Sequence, residues 1–306
     1  MDYRASELFG ISSIEELQIL LDANLNEYKS EKNIFWNHYF CKVIKGKRLI
    51  EAPGDNLKKL QRRIHCYLKV IDTPSYIHSC KGKSSITNAS THRNNITKII
   101  KLDISKFFPS TSRDKVYKFW KNDMKMSGEV ANIMTNITTI SIPPRSKICN
   151  FLSEHGIETL NHLPTGCPTS SLLSFLVNAK MYEEIYQVVK DHDGIISIYA
   201  DDITISGINM ASEVYYKIRF ILFSYGYRAS NSKSHIETNK EKTNITGVII
   251  RDGGKLLVPN KTNKKIKDVK TSTEGKEKQS SIIKGVKQYQ KQINIANNEY
   301  SQRKAP

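Results

Sequence analysis

Two aspartates stand side by side at Asp201 and Asp202, between the short apolar stretches 195–199 and 203–206. A third, Asp103, sits in the apolar strand-like run Thr97-Lys98-Ile99-Ile100-Lys101-Leu102-Asp103-Ile104. Neighbouring carboxylates raise each other's pKa and destabilise a fold unless a cation lies between them. A hairpin turn ordinarily uses Asn-Gly or Asp-Gly, so Asp-Asp is a poor choice on turn geometry alone. A carboxylate inside an apolar strand is also costly unless it meets a partner or a metal. Three acids on neighbouring strands can bind two Mg²⁺ through oxygen. Two such ions ~3.5–4 Å apart stabilise both the attacking and the leaving oxygen of a phosphoryl displacement. Taken alone, Asp201-Asp202 could be an ordinary solvated turn; Asp103 on a second strand argues for metal-assisted phosphoryl chemistry.

The elements that must position these acids follow from periodicity. Residues 195–199 and 203–206 read as two strands of a hairpin with its acids at the tip. Helical spacing predicts helices over 13–29, opened by Ser12 or Ser13, and over 57–72, with Leu57, Leu60, Ile64, Leu68 and Ile71 on one side. Residues 47–53 read as a short strand ended by Pro53. Residues 113–140 are mainly helical, and 141–165, with Pro143, Pro144, Gly156 and Pro164, reads as a long irregular connection. Further helices are expected over 170–189 and 211–225, and a strand pair over 234–238 and 244–250. The resulting β-α-β-β-α-β order is that of an α+β palm. A last helix over 281–300 aligns Ile282, Val286, Tyr289 and Ile293; it could lie on nucleic acid or pack against its neighbours.

Composition points to the partner. Lys plus Arg number 47 against 30 Asp plus Glu, a net charge of +17 over 306 residues, and such an excess favours a polyanion. The charge is concentrated: residues 255–306 hold 13 basic and 4 acidic side chains, which an evenly solubilising surface would not. Residues 255–280 have too little apolar surface to pack and are expected to be partly disordered when free. No run approaches the length of a bilayer span, and MDYRASELFG lacks an apolar signal core, so a cytoplasmic protein without membrane association is expected. The five cysteines (Cys41, Cys66, Cys80, Cys149, Cys167) are scattered and read as reduced thiols. Gly82-Lys83-Ser84 is not a phosphate-binding loop, because Ile77 stands where that motif needs glycine.

The acids also lie in a recognisable setting. Tyr199-Ala200-Asp201-Asp202 resembles the YADD box of reverse transcriptases. Leu102-Asp103-Ile104-Ser105-Lys106-Phe107-Phe108-Pro109-Ser110 is similar to the first catalytic strand of the bacterial enzymes. Leu163-Pro164-Thr165-Gly166-Cys167-Pro168-Thr169-Ser170 is similar to their template-gripping loop. Asn88-Ala89-Ser90-Thr91-His92 resembles the NAxxH element of retron enzymes. Asn244-Ile245-Thr246-Gly247-Val248 resembles their VTG element, and Gly285-Val286-Lys287-Gln288-Tyr289 their thumb helix. The likeness runs from about residue 44 to 294. Ser171, Phe175 and Ser230 depart from the family's usual Pro, Asn and Asn.

The resemblance implies an α+β right-hand polymerase with an antiparallel palm. Fingers would span 1–98 with an insertion at 113–162, the palm 99–112 and 163–250, and a short basic helical thumb 251–306. It implies an RNA-directed DNA polymerase whose catalytic Asp103, Asp201 and Asp202 hold two Mg²⁺, with Mn²⁺ as a substitute, aided by the Ile104 carbonyl. Arg48 would clamp the triphosphate, a bidentate task suited to guanidinium. Phe108 would exclude a 2′-hydroxyl, Lys233 would protonate the leaving pyrophosphate, and Gly166 and Pro168 would approach template and primer. Read singly, Arg48 could be a surface arginine, Lys233 a solvated lysine and Phe108 a core aromatic, although Phe107 suits a core better.

The retron elements imply RNA contacts from Asn88, His92, Thr246, Gly247, Lys287 and Tyr289. Implied partners are dNTPs, a cognate structured non-coding RNA, its branched single-stranded DNA product (msDNA), and a separate effector or toxin in anti-phage defence. Priming would come from an internal 2′-hydroxyl of that RNA. The alternatives are another compact bacterial reverse transcriptase without branched priming, and an RNA-binding scaffold for an effector with a vestigial site. The chain stops soon after the thumb, so no maturase, endonuclease or RNase H domain is expected.

Overall fold

The computed structural model describes residues 1–304 apart from 31–37, 45–47, 81, 144–145, 158–159, 208, 210, 239–240 and 272–275. Its strands in chain order are β1 (Tyr39–Ile44), β2 (Arg48–Pro53), β3 (Lys98–Asp103), β4 (Ile140–Ser141), β5 (Asn161–His162), β6 (Ile195–Tyr199), β7 (Asp202–Ser206), β8 (His235–Thr238), β9 (Lys242–Ile245), β10 (Val248–Arg251) and β11 (Leu256–Leu257). The helices are α1 (Ile14–Leu21), α2 (Asp55–Lys69), α3 (Ser85–Ser90), α4 (Phe107–Ser110), α5 (Arg113–Lys118), α6 (Gly128–Thr138), α7 (Lys147–Glu154), α8 (Ser170–Val177), α9 (Ala179–Lys190), α10 (Ala211–Ser224), α11 (Asn260–Lys270) and α12 (Lys276–Lys304). The chain divides into one unit of residues 1–74, 105–182 and 224–227 and a second of residues 75–104, 183–223 and 228–306.

In the second unit, alternation builds an antiparallel sheet in the order β6-β7-β3-β8. This is the β-α-β-β-α-β connectivity expected from sequence. Side chains alternate across a strand, so paired residues share a face. Ile196, Ile198, Ile203, Ile205, Ile100 and Leu102 therefore share one apolar face, and all six are buried. The opposite face carries Ser197, Thr204, Ser206, Lys101, Asp103 and Asp202.

Two expectations about the strands after α10 are corrected. β8 does not pair with the strand that follows it; it joins the edge of β3. Residues 244–250 are not one strand but the turn of a hairpin, β9–β10, in the separate sheet β11-β10-β9. Thr246 and Gly247 both have positive φ, 45° and 83°, which is what a two-residue primed hairpin turn demands. This sheet packs with Ile86, Ala89, Ile96, Ile99 and Ile293 in one apolar cluster, against which Tyr289 and Ala296 also lie. The face of α12 predicted from spacing thus packs inward at Val286, Tyr289 and Ile293. Within 255–280, residues 260–270 form α11 rather than an unstructured stretch, and Gln290 of α12 donates to Asn263 Oδ1 at 3.0 Å. Residues 272–275 lie outside the described set.

The first unit is mainly helical around a core that includes α1, α2, α6 and α8. Ser13 caps α1 by accepting from Glu16 N–H at 3.1 Å, and Asp22, at φ 44°, ends it. The helix expected to reach residue 29 therefore stops at Leu21. α2 buries Leu57, Leu60, Ile64 and Leu68 as its spacing predicts. The connection over 141–165 is less irregular than expected: Ser146 caps α7, and β4 pairs with β5. The helix expected over 170–189 breaks at Asn178, whose amide donates back to Ser174 O (2.8 Å) and whose Oδ1 accepts from the Tyr227 hydroxyl (2.9 Å).

Glu51 of β2 ties this unit's loop 163–168 in place. Its carboxylate meets His162 Nε2 at 2.8 Å and accepts from Thr165 N–H at 2.9 Å, and Glu51 and His162 are both 0% exposed. The two backbones also join, Glu51 N–H to Thr165 O at 2.8 Å. A buried pair is expensive to break because the surviving partner is left unsatisfied. Glu51→Ala is expected to lower unfolding free energy by about 3 kcal/mol, read as a reduced urea midpoint at unchanged m-value.

Candidate active site

The three acids are carried by β3 and the β6–β7 hairpin, all in the second unit. Asp103 and Asp202 are direct partners across β3 and β7, and Tyr199 pairs with Asp202, leaving Ala200 and Asp201 as the hairpin tip. Ala200 sits at φ 56°, a left-handed conformation that L residues adopt at a cost. Ile104 N–H donates to Asp201 O at 2.8 Å, so the tip is tied to the strand carrying Asp103.

The segment 230–234 holds Asp103 from its other side. Ser230 N–H donates to Asp103 O at 2.8 Å, and Asp103 N–H donates to Ser234 Oγ at 3.1 Å. Ser230 does this with its backbone, so the departure noted at that position leaves this contact intact. The same segment delivers Lys233, whose Nζ lies 2.8 Å from Asp103 Oδ2. That hydrogen bond, with the charges of Asp103, Asp201 and Asp202, raises the lysine's pKa against a smaller opposing effect of burial. Its side chain is 65% exposed, so the ammonium remains accessible from solvent.

Burial, followed by the charges of Asp201 and Asp103, pushes the Asp202 carboxyl up to about 6. This is the expected mark of a carboxyl taken out of water beside two like charges. Among the described residues, no three His, Cys, Asp or Glu side chains converge as a ready-made chelate. The donor chemistry nonetheless fits a hard divalent cation: oxygen ligands, surplus negative charge, and two of the acids directly opposed on adjacent strands.

The retron-like elements meet at the β9–β10 turn. Asn88 Nδ2 donates to Thr246 Oγ1 at 3.2 Å, Thr246 Oγ1 donates to Ser85 O at 3.3 Å, and the Tyr289 hydroxyl donates to Gly247 O at 2.9 Å. Lys287 is exposed on α12. His92 is fully buried, with both ring nitrogens bonded to serine hydroxyls of the β6–β7 hairpin. Burial holds His92 down at about 3 and its neighbour His78, which bonds Thr87 of α3 and Thr91 just after it, at about 4.

The remaining predicted site residues belong to the first unit. Arg48 opens β2, but its side chain lies outside the described residues. Phe107 is buried against Tyr182 and Tyr227, whereas Phe108 beside it is only half-buried. Pro168 is half-buried and Gly166 exposed. Gly166 has φ 105°, a backbone conformation that strains any residue with a Cβ, so its glycine is explained by the chain's own conformation. Sequence reasoning missed Glu51 and His162; an acid inside the strand-like Arg48-Leu49-Ile50-Glu51-Ala52-Pro53 was the available signal.

A sequence profile of the family described as reverse transcriptase (RNA-dependent DNA polymerase) matches residues 31–250. The chain is 30% identical over 238 residues to the retron Se72 reverse transcriptase of Salmonella heidelberg (strain 579083-10), covering 72% of this chain and 57% of that protein. It is 27% identical over 209 residues to the retron Ec86 reverse transcriptase of Escherichia coli, covering 66% of this chain and 58% of that one. The chain thus spans less than three-fifths of the length of either relative. A foamy viral protease-reverse transcriptase solved in complex with an RNA/DNA hybrid superposes with a TM-score of 0.44 at 15% identity, over 81% of this chain and 26% of that one.

Two outcomes follow from this geometry. Gly247→Ala meets no atom within 4 Å but must hold φ 83°, so it should cost about 1 kcal/mol, seen as a lower thermal midpoint. His78 and His92 stay neutral in the fold, while unfolded histidine binds a proton below about 6.5. The unfolded state therefore gains protons first as pH falls, and stability should drop between about pH 6.5 and pH 4, by up to about 1.4 kcal/mol per unit for each histidine. His78→Gln should flatten that slope in urea titrations at stepped pH.

Proposed function

The chain belongs to the reverse transcriptase (RNA-dependent DNA polymerase) family, and we propose that it is a retron-type RNA-directed DNA polymerase. The observation that carries this reading is the pairing of Asp103 with Asp202 across β3 and β7, with Asp201 at the adjoining hairpin tip. Asp103, Asp201 and Asp202, with the Ile104 carbonyl, would hold Mg²⁺ or Mn²⁺, and a bound pair would supply charge stabilisation to the attacking and leaving oxygens. The chain's own residues do the rest. Lys233 Nζ keeps a proton beside Asp103 and can release it to the departing pyrophosphate. Arg48 takes the triphosphate, and Phe108 rejects a sugar bearing a 2′-hydroxyl. Gly166 and Pro168 lie in the loop that grips the template.

Fingers at 1–98 with 113–162, palm at 99–112 and 163–250, and thumb at 251–306 are part of this reading. So is priming from an internal 2′-hydroxyl of a cognate structured RNA, giving msDNA that stays branched to its template. The relatives are retron enzymes, and the NAxxH-like and VTG-like elements support the same assignment. Lys287 and the other lysines of α12 suit the phosphates of a structured RNA. A separate effector protein is proposed as a further partner. No helix among the described residues is long and apolar enough to cross a membrane.

The test is expression with flanking DNA and extraction of copurifying nucleic acid, beside the Asp201→Asn/Asp202→Asn variant. Short DNA joined to RNA, sensitive to debranching and absent from the variant, is the expected result. RNA alone in both preparations would sink the polymerase reading, and extension of an added primer without branched product would sink the retron part. The variant should lose roughly 10³-fold or more of nucleotide incorporation. Phe108→Ala should gain ribonucleotide incorporation, measured by primer extension with rNTPs.

A further inference from the structure

His92 has 0% exposure, so its ring offers no surface to RNA. What it touches is the hairpin that carries two of the three acids. Its Nδ1 lies 2.7 Å from Ser206 Oγ and its Nε2 lies 2.7 Å from Ser197 Oγ, and both serines are themselves buried. The register pairs Ser197 with Thr204 and Ser206 with Ile195, so the two serines are diagonal neighbours on β6 and β7. They lie on the face that also bears Asp202 and, across β3, Asp103.

We propose that His92 is a positioning residue, a diagonal tie across the β6–β7 hairpin that sets where Asp201 and Asp202 stand relative to Asp103. Ladder hydrogen bonds run perpendicular to the strands and chiefly hold their separation. A link between diagonal neighbours opposes shear of one strand along the other, the displacement that would carry Asp202 out of register with Asp103. A neutral imidazole suits the task, since one ring nitrogen donates and the other accepts, which satisfies one hydroxyl of each kind.

A brace also needs a fixed end, and the next residue provides it. Arg93 donates to Ala296 O at 2.9 Å and to Asn297 Oδ1 at 3.1 Å on α12, with its guanidinium 4.6 Å over the Tyr300 ring. Asn88, within α3, ties that helix to Thr246. The segment Asn88–Arg93 therefore joins the acid-bearing hairpin to α12 and the β9–β10 turn through buried side chains.

This inference rests on the polymerase reading. It is tested with the whole 306-residue chain on an RNA template with a DNA primer, measuring kcat, KM for dNTP, RNA Kd and Tm. The variants are Ser197→Ala, Ser206→Ala, the double serine variant, His92→Leu and His92→Gln. The serine changes remove single buried oxygens and keep the test open if His92→Leu fails to fold. The double serine variant should lose roughly ten- to a hundredfold in kcat, with RNA Kd changed by less than about twofold. His92→Gln, which can keep one of the two bonds, should recover part of the loss. His92 and serine substitutions combined should cost little more than either alone. A folded double serine variant with unchanged kcat overturns the proposal. So does a His92→Gln variant that loses RNA affinity but keeps kcat at saturating RNA. Wild-type protein without metal-dependent incorporation would instead bring down the polymerase reading beneath it.

Discussion

Like-charged carboxylates on adjacent strands repel, and the acid-bearing unit is organised around holding them together. Asp103 and Asp202 face one another across β3 and β7, and Asp201 follows at the tip. An apolar sheet face of six buried Ile and Leu residues opposes that repulsion by fixing the strands' register. A one-residue slip would turn the acids into the apolar layer and the isoleucines outward. The backbone bonds from Ile104 to Asp201 and from Ser230 to Asp103 pin the two acid-bearing strands further. Lys233 supplies a countercharge to Asp103, and Asp202 still titrates well above an ordinary aspartate. Burial is the larger cause and the neighbouring acids the next, and a divalent cation would offset both.

The same unit uses short polar side chains internally where resemblance pointed outward. Asn88, Thr246, Gly247 and Tyr289 bond one another around a turn whose two central residues both have positive φ. Glycine at 247 is explained by that backbone before any ligand is invoked. His92 bridges serines in the interior, leaving Lys287 as an exposed residue of this group. In the other unit, Glu51 and His162 do comparable work for the loop 163–168, and Gly166 is held against the Glu51 backbone.

Much of this was legible in the sequence, and the boundary is physical. Alternation in Ile195-Ile196-Ser197-Ile198-Tyr199 and Asp202-Ile203-Thr204-Ile205-Ser206 specified two strands, their faces and a hairpin with acids at its tip, because a strand's period of two is local. The helical stripe on α12 and the Ser13 cap were local in the same sense. Strand partners were not: β8 pairs with β3 across more than a hundred residues of chain, and no local pattern encodes which edge a strand will join. The break at Asn178 and the burial of His92 were likewise decided by packing. A histidine looks the same in sequence whether it meets RNA or two serines. The sequence by itself determined the acids, their strands and the chemistry they permit; the tertiary structure alone decided which polar groups close on one another, because hydrogen-bond partners distant in the chain are chosen by the fold's geometry.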